Sequence, residues 1–150
     1  MVKFSLLAAE ILEKEGISCE VINLRSIRPL DRELIVESVK KTHRIVTVEE
    51  GWPQHGVGAE IGALIMESSA FDYLDAPLER ITGFDVPTPY AINIEKLAFP
   101  SVDNIVNSVR KVCYGLKKWF HNINYRLFLV IFKYFISWNA GGRIYLSRDV

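Results

Sequence analysis

The spacing of hydrophobic residues predicts alternating helices and strands over the first 113 residues. Helical periodicity marks four segments, and short apolar or β-branched runs mark three strands between them. Gly16 is placed to end the first helix, while Asp31 and Ser101 are placed to cap the second and the last. Pro87 and Pro89 predict an extended loop. The predicted segments are 2–15, 19–24, 32–42, 45–48, a helix after Gly58 up to about 68, 78–82 and 101–113.

This alternation is typical of an α/β fold with a mostly parallel sheet, right-handed crossovers and helices on both faces. The stretch 41–60, KTHRIVTVEEGWPQHGVGAE, holds a buried strand, a turn and the start of a helix. Loops that leave the carboxyl ends of parallel strands are where ligands and partners are met. Functional residues are therefore expected at this loop.

Two acids and a histidine in this loop are the first candidates for chemistry. Glu49 and Glu50 are adjacent, so on a strand they point to opposite faces and cannot form a paired acid–base couple. They are expected to serve as a strand-end charge and an interface contact rather than to act on a substrate. His55 can titrate near neutral pH, but no serine or cysteine nucleophile is placed near it by a motif. A surface or interface hydrogen bond is its expected role.

Gly56, Gly58 and Gly62 form the pattern G-x-G-x-x-x-G, one residue away from the dinucleotide fingerprint G-x-G-x-x-G. The acidic residue that should follow about twenty positions later is not convincing either. These glycines are expected to permit a tight turn and close helix packing instead. No nucleotide site is predicted.

Charge and aromatic content divide the chain near residue 114. The whole chain has 18 basic and 18 acidic residues, which gives no indication of a nucleic-acid partner. Residues 1–113 carry 12 Lys/Arg and 17 Asp/Glu, whereas 114–150 carry 6 Lys/Arg and a single acid, Asp149. Two cysteines, Cys19 and Cys113, indicate a reducing compartment and offer no zinc site.

The tail at 114–150 is rich in aromatic residues, with 10 of the 17 in the chain. Its uncharged run from Leu127 to Phe132 is far shorter than the roughly 20 residues that a spanning helix needs. Membrane insertion is therefore not expected. The tail is interpreted as disordered or as translated non-coding sequence, and as an aggregation liability.

The segment EEGWPQHGVGAEI, followed by YLDAPLERITGFDVPTPYA, resembles the C-terminal domain of pyruvate dehydrogenase beta subunits, a member of the transketolase C-terminal family. HRIVTVEEGWPQHGVGAEI and DVPTPYAINIEKLAFP look most similar to the plant mitochondrial type. The resemblance covers Met1 to about Cys113, which defines a domain at 1–113 and leaves 114–150 outside the family. It implies a three-layer fold that lacks its first strand, because the family's domain opens with a strand just before the helix that begins at Met1.

The resemblance also implies a role in a mitochondrial-matrix enzyme that uses thiamine diphosphate with magnesium to convert pyruvate to acetyl-CoA. Its catalytic and cofactor-binding residues belong to an upstream domain, so none is expected here and the chain alone is expected to be inactive. The implied partners are the alpha subunit, a second beta subunit and the dihydrolipoamide acetyltransferase core. The expected interface and docking residues are Glu49, Glu50, Trp52, Gln54, His55 and Asp75, the last of which faces the core.

Three alternatives stay open at this point. The chain could come from the branched-chain 2-oxoacid dehydrogenase beta subunit, which shares the fold, although GWPQHGVGAEI and DVPTPYA favour pyruvate. It could be a truncated product that binds partners without catalysis. It could also be a membrane-tethered fragment that uses the tail.

Overall fold

The computed structural model describes residues 1–114 and the strand at residues 125–131. A short 3-10 turn lies at Phe71–Tyr73. No helix in these described ranges is long and apolar enough to cross a membrane. The helices are α1 (Val2–Glu13), α2 (Arg32–Thr42), α3 (Val57–Glu67), α4 (Ile92–Ala98) and α5 (Val102–Tyr114), and the strands are β1 (Ile17–Asn23), β2 (Ile45–Val48), β3 (Glu79–Ile81) and β4 (Tyr125–Ile131).

Local capping signals place the helix ends where the sequence predicts them. Asp31 accepts a hydrogen bond from the Leu34 N–H at 3.2 Å and caps α2. Ser101 Oγ accepts from the Asn104 N–H at 3.2 Å, while Asn104 Oδ1 accepts from the Ser101 N–H at 2.9 Å. This reciprocal pair satisfies two backbone donors at the start of α5, as a capping box does.

Helix α4 was not predicted from the sequence, since this region was expected to be an extended loop held by Pro87 and Pro89. The helix begins two residues after Tyr90, and the N–H groups of Ile94 and Glu95 both donate to the Ala91 carbonyl oxygen. Its large apolar side chains are exposed, so no stripe of buried positions marks it in the sequence.

The four described strands form one parallel sheet in the order β1-β4-β2-β3. β4 pairs along its full length with β1, and its second half, Phe128–Ile131, also pairs with β2. β2 pairs with β3 from Val46 to Val48. The predicted α/β class with a parallel sheet is confirmed.

One strand of the sheet comes from the tail. β4 fills the position between β1 and β2 with residues Tyr125–Ile131. The division of the chain into a domain at 1–113 and a tail at 114–150 stays a prediction. Residues 115–124 and 132–150 lie outside the described residues.

Hydrophobic side chains fill both faces of the sheet, because successive residues of a strand point to opposite sides. Val46 and Val48 face α1 and α5, where Leu12 and Ile105 are fully buried. Ile45 faces the other way, toward α2 and α3. Helices therefore cover both faces of the sheet in three layers, and β2 is held at its centre.

Candidate functional site

The loop that leaves β2 begins with two acids, Glu49 and Glu50, whose side chains point in opposite directions. The Glu49 N–H donates to the Ile81 carbonyl oxygen at 2.9 Å, so the chain still follows the sheet at this residue. Glu49 is only 4% exposed, whereas Glu50 is exposed. The prediction that the two acids point to opposite faces is confirmed by this difference.

The Glu49 carboxylate lies against the amino end of α3. The Gly58 N–H donates to Glu49 Oε2 at 3.4 Å. The N-cap residue of α3, Gly56, has no side chain to accept from the first N–H groups of the helix. Glu49 supplies that acceptor from a neighbouring strand, where the positive end of the helix dipole favours an anion.

Burial dominates the electrostatics of this carboxylate. It raises the pKa of Glu49 above its ordinary value, and the N–H of Gly58, the charge of Arg80 and the N–H of Val57 offset part of that rise. Oε1 is buried without a hydrogen-bond partner among the described residues. Glu49 is therefore a buried group that holds the loop against α3, and its expected role at an interface stays a prediction.

The glycines around Glu49 are explained by the close approach of its carboxylate. A Cβ on Gly58 would lie 2.5 Å from Glu49 Oε1 and 2.9 Å from Thr47 Oγ1. A Cβ on Gly56 would lie 2.6 Å from Glu49 Oε2. Contacts this short leave no room for a side chain. The interpretation of the G-x-G pattern as a device for close packing is confirmed.

The outer side of the same loop presents Trp52, Gln54 and His55 to solvent. Trp52 is 56% exposed. His55 has a φ of 56°, in the left-handed region, so the turn reverses sharply at this residue. Arg80 fixes the base of the turn by donating to the Pro53 carbonyl oxygen.

A second segment, 84–97, is tied to this loop through the backbone. The Gly83 N–H donates to the Gly51 carbonyl oxygen at 2.9 Å, and the Phe84 N–H donates to the Ala98 carbonyl oxygen at 3.0 Å. A Cβ on Gly83 would lie 2.5 Å from the Glu50 carbonyl oxygen, so only glycine allows this approach.

Large apolar side chains are exposed on both of these joined segments. The segment 84–97 carries most of them, and the sequence did not single them out because exposed residues leave no burial pattern. We call this set the apolar surface: Trp52, Phe84, Val86, Tyr90, Ile92, Ile94 and Leu97.

Asp75 lies at the other end of β2, away from the loop. Its N–H donates to the His43 carbonyl oxygen at 2.9 Å, and its Oδ2 is 3.5 Å from Arg44 Nη2. His43 precedes β2 and Glu49 follows it, so the four residues of the strand, about 13 Å, separate the two places. The structure therefore does not bring Asp75 together with the other predicted interface residues.

His43 gains a context that the sequence did not provide. It ends α2 in the left-handed conformation, its ring lies 6.0 Å from the Tyr73 ring, and its Nδ1 is 3.9 Å from Asp75 Oδ1. Lys40 Nζ lies 5.6 Å from the centroid of the Tyr73 ring. Asp75 is thus held in a defined polar and aromatic setting on the surface.

The two cysteines are free thiols. Burial raises the pKa of Cys19 to about 12 and the pKa of Cys113 to about 11. Thiols with a pKa this high carry little thiolate at neutral pH, which makes them poor nucleophiles. Within the described ranges, no group of three or more His, Cys, Asp or Glu side chains could hold a metal ion.

We predict that Glu49→Gln changes how stability depends on pH. Because the pKa of Glu49 is raised in the folded state, the folded chain holds this proton to higher pH than the unfolded chain does. The contribution of Glu49 to the free energy of unfolding is therefore largest below its ordinary pKa of 4.5 and falls as pH rises through the folded-state value. Relative to the wild type, Glu49→Gln should gain stability over that window.

Urea unfolding at a series of pH values measures this difference. Glu50→Gln removes the same charge from the exposed neighbour and is the matched control. The free energy of unfolding of Glu49→Gln minus that of the wild type should rise as pH increases above 4.5, and a constant or falling value would contradict the buried position of the carboxylate.

We predict that Gly58→Ala is destabilising although it lies in a helix. Such a change in a helix normally stabilises by roughly 0.5–1 kcal/mol. Here the clash with Glu49 should reverse the sign and cost about 1–3 kcal/mol. In a Glu49→Ala background the carboxylate is gone and the contact with Thr47 Oγ1 at 2.9 Å remains, so the part of the loss that the carboxylate causes should disappear in a double-mutant cycle.

Gly62→Ala, on the same helix, is the control, because its Cβ would meet only the mobile end of Leu78 at 3.1 Å. Denaturant unfolding gives the four free energies of the cycle. Additive losses for Gly58→Ala and Glu49→Ala would show that the carboxylate does not set the need for glycine.

Comparison with known sequences agrees with this architecture. The profile of the family described as "Transketolase, C-terminal domain" matches residues 1–105. The chain is 64% identical over 114 residues to pyruvate dehydrogenase E1 component subunit beta-1, mitochondrial, of Oryza sativa subsp. japonica, covering 76% of this chain and 30% of that protein. It is 65% identical over 114 residues to the mitochondrial E1 beta subunit of Pisum sativum, covering 76% and 32%.

Similarity extends to bacteria. The E1 component subunit beta of Rickettsia bellii is 58% identical over 113 residues, which cover 75% of this chain and 34% of that protein. The chain thus spans about a third of the length of these curated relatives. The family profile covers most of the chain, and the fold is the three-layer parallel architecture described above. This chain belongs to the transketolase C-terminal domain family.

Proposed function

We propose that this chain is the C-terminal part of the beta subunit of a mitochondrial pyruvate dehydrogenase and that it serves assembly rather than catalysis. The names of its rice and pea relatives support both the enzyme and the mitochondrial location. The parent reaction is the oxidative decarboxylation of pyruvate, with the acetyl group passed on toward acetyl-CoA. The relatives quoted are pyruvate enzymes, which favours this reading over the branched-chain alternative.

The observation that carries the assembly role is the apolar surface. Phe84, Ile92 and Leu97 are each about two-thirds exposed or more, at 67%, 70% and 71%, and Tyr90 is fully exposed. Soluble monomers rarely expose so many large apolar side chains together, and aromatic residues are enriched where proteins meet. The partners proposed for this surface are the alpha subunit and a second beta subunit, with Glu50, Gln54 and His55 at its polar rim.

The loop that carries Trp52 is well suited to this role because its base is fixed from inside. Glu49 anchors the start of the loop to α3, and Arg80 anchors its middle at Pro53. The backbone bond between Gly83 and Gly51 then holds the two apolar segments against each other. A surface whose shape is set in advance loses less conformational entropy on binding.

Asp75 supports a second contact, with the dihydrolipoamide acetyltransferase core. Its carboxylate is half exposed, and Arg44, which is buried, orients it. A fixed acid on the surface is suited to a basic partner domain, because complementary charges steer and orient the encounter. Since Asp75 lies at the opposite end of β2 from the loop, the chain can engage both kinds of partner at once.

The cofactor of the intact enzyme belongs to the parent protein. By resemblance, the pyruvate dehydrogenase family uses thiamine diphosphate with magnesium, bound through a domain other than this one. Among the described residues, no group of three or more His, Cys, Asp or Glu side chains could hold a metal ion. The contribution proposed for this chain is the positioning of subunits, and no catalytic step is assigned to its residues.

We predict that Phe84→Ala combined with Tyr90→Ala weakens assembly with the alpha subunit. Truncation of exposed aromatic anchors at an interface commonly costs 2 kcal/mol or more, so the dissociation constant should rise by roughly thirtyfold. Met66→Ala removes an apolar side chain that is 62% exposed but lies on α3, outside the apolar surface. Sedimentation of co-expressed subunits measures the assembled fraction, and equal assembly in all variants would refute this role.

We predict that Asp75→Asn weakens binding to the acetyltransferase core by roughly tenfold at low salt, because a charge pair with a basic partner is lost. The difference from the wild type should shrink at high salt, where the charges are screened. Asp72→Asn neutralises another exposed acid three residues away and is the control. Titration calorimetry at two salt concentrations distinguishes the cases, and the same loss in both variants would argue against a specific role for Asp75.

A further inference from the structure

The strand β4 lies outside the residues that the family profile matches, yet it occupies an interior position in the sheet. The profile ends at residue 105, whereas β4 is Tyr125–Ile131. All seven of its residues pair with β1, from Ile17↔Tyr125 to Asn23↔Ile131. Four of them also pair with β2. A segment beyond the family match therefore lies between β1, which follows α1, and β2, which precedes the loop.

The space between β1 and β2 has the dimensions of one strand. The two strands do not neighbour each other in the described sheet, and β4 pairs with both. Neighbouring strands lie about 4.8 Å apart, so β1 and β2 are separated by about twice that distance. If β4 were removed, the facing N–H and C=O groups of β1 and β2 would be left without partners inside the protein.

The surroundings of this slot select an apolar strand. β2 is buried along its whole length, and Ile17 of β1 is fully buried. Buried residues of β1 and β2 pack in clusters with helices on both faces of the sheet, so the slot lies between two covered faces. Strands in such positions read as continuous hydrophobic runs.

The sequence of β4, YRLFLVI, satisfies this requirement. Its last five residues are uncharged and apolar. Its one charged residue, Arg126, is paired with Ser18 of β1 and precedes the part that β2 also borders, which begins at Phe128. The apolar half of the strand thus coincides with the doubly paired half.

We propose that the slot between β1 and β2 is a strand-binding site for an apolar, parallel segment, and that Tyr125–Ile131 of the same chain fills it. The site is formed by the backbone edges of Ile17–Asn23 and Ile45–Val48. The segment acts as a structural part of the domain, and an isolated peptide of the same sequence is able to bind the slot when the segment itself is prevented from doing so.

A proline in β4 tests the proposal in the full chain. Leu129 pairs with Val21 of β1 and Val46 of β2, so Leu129→Pro disrupts the strand where both neighbours meet it. Asn139→Pro, in the tail but beyond the strand, is the matched control. Hydrogen exchange should show that Leu129→Pro lowers the protection of the β1 and β2 amides by on the order of 100-fold, with the control unchanged.

Rescue with a peptide separates strand binding from general damage. A peptide with the sequence of residues 125–131, made soluble by flanking lysines, should restore the protection of β1 and β2 in Leu129→Pro. The same peptide with proline in place of the residue matching Leu129 should not. Failure of the first peptide to restore protection in a folded Leu129→Pro variant would overturn the proposal.

Measurements on the wild-type chain keep the proposal testable even if Leu129→Pro does not fold. The proposal is supported if the β1 amides are protected from hydrogen exchange as strongly as the amides of β2 and β3. Fast exchange in β1 beside protected β2 and β3 would overturn it. Protection of β1 that rises with protein concentration, together with a dimer in gel filtration, would overturn it in favour of a strand donated by a second copy.

Discussion

The burial of one carboxylate, that of Glu49, is the constraint on which the functional end of the molecule depends. A charge inside a protein is costly unless dipoles or opposite charges stabilise it. The amino end of α3 and the charge of Arg80 provide that stabilisation only if the helix starts directly beside the carboxylate. That proximity requires glycine at positions 56 and 58 and directs the following residues outward. The loop is thus exposed because the Glu49 carboxylate is buried against the amino end of α3.

The short strand β2 then determines how the two proposed contacts are arranged. Its four residues are buried between neighbours on both sides, so its ends are fixed relative to each other. Asp75 is hydrogen-bonded to His43, two residues before the strand, and the loop follows its last residue. A rigid core element therefore separates the proposed charged contact from the proposed apolar one. Contacts built on such an element keep their geometry better than contacts carried by independent loops.

The sequence predicts those features that depend on near neighbours. Asp31 and Ser101 cap helices through residues three positions away, and the β-branched run at 45–48 marks a buried strand. Helix α4 was not predicted because its large apolar side chains face solvent and show no periodic burial. The burial of Glu49 depends on where α3 begins in space, which spacing along the chain does not reveal. The resemblance to the family identified the domain. Exposed residues such as Tyr90 became candidates for partner contacts only when the structure showed their exposure.

Composition alone does not distinguish an exposed apolar segment from an interior strand such as β4. An apolar, aromatic segment beyond a family boundary has the composition of an aggregation-prone segment, because an unpaired strand of this kind exposes both edges. The same composition is what an interior strand of a parallel sheet requires. What decides between the two outcomes is whether both edges of the strand pair with other strands. The partners of β4 are β1 and β2, which lie more than 70 residues away in sequence. The sheet therefore includes an interior strand from beyond the residues that the family profile matches.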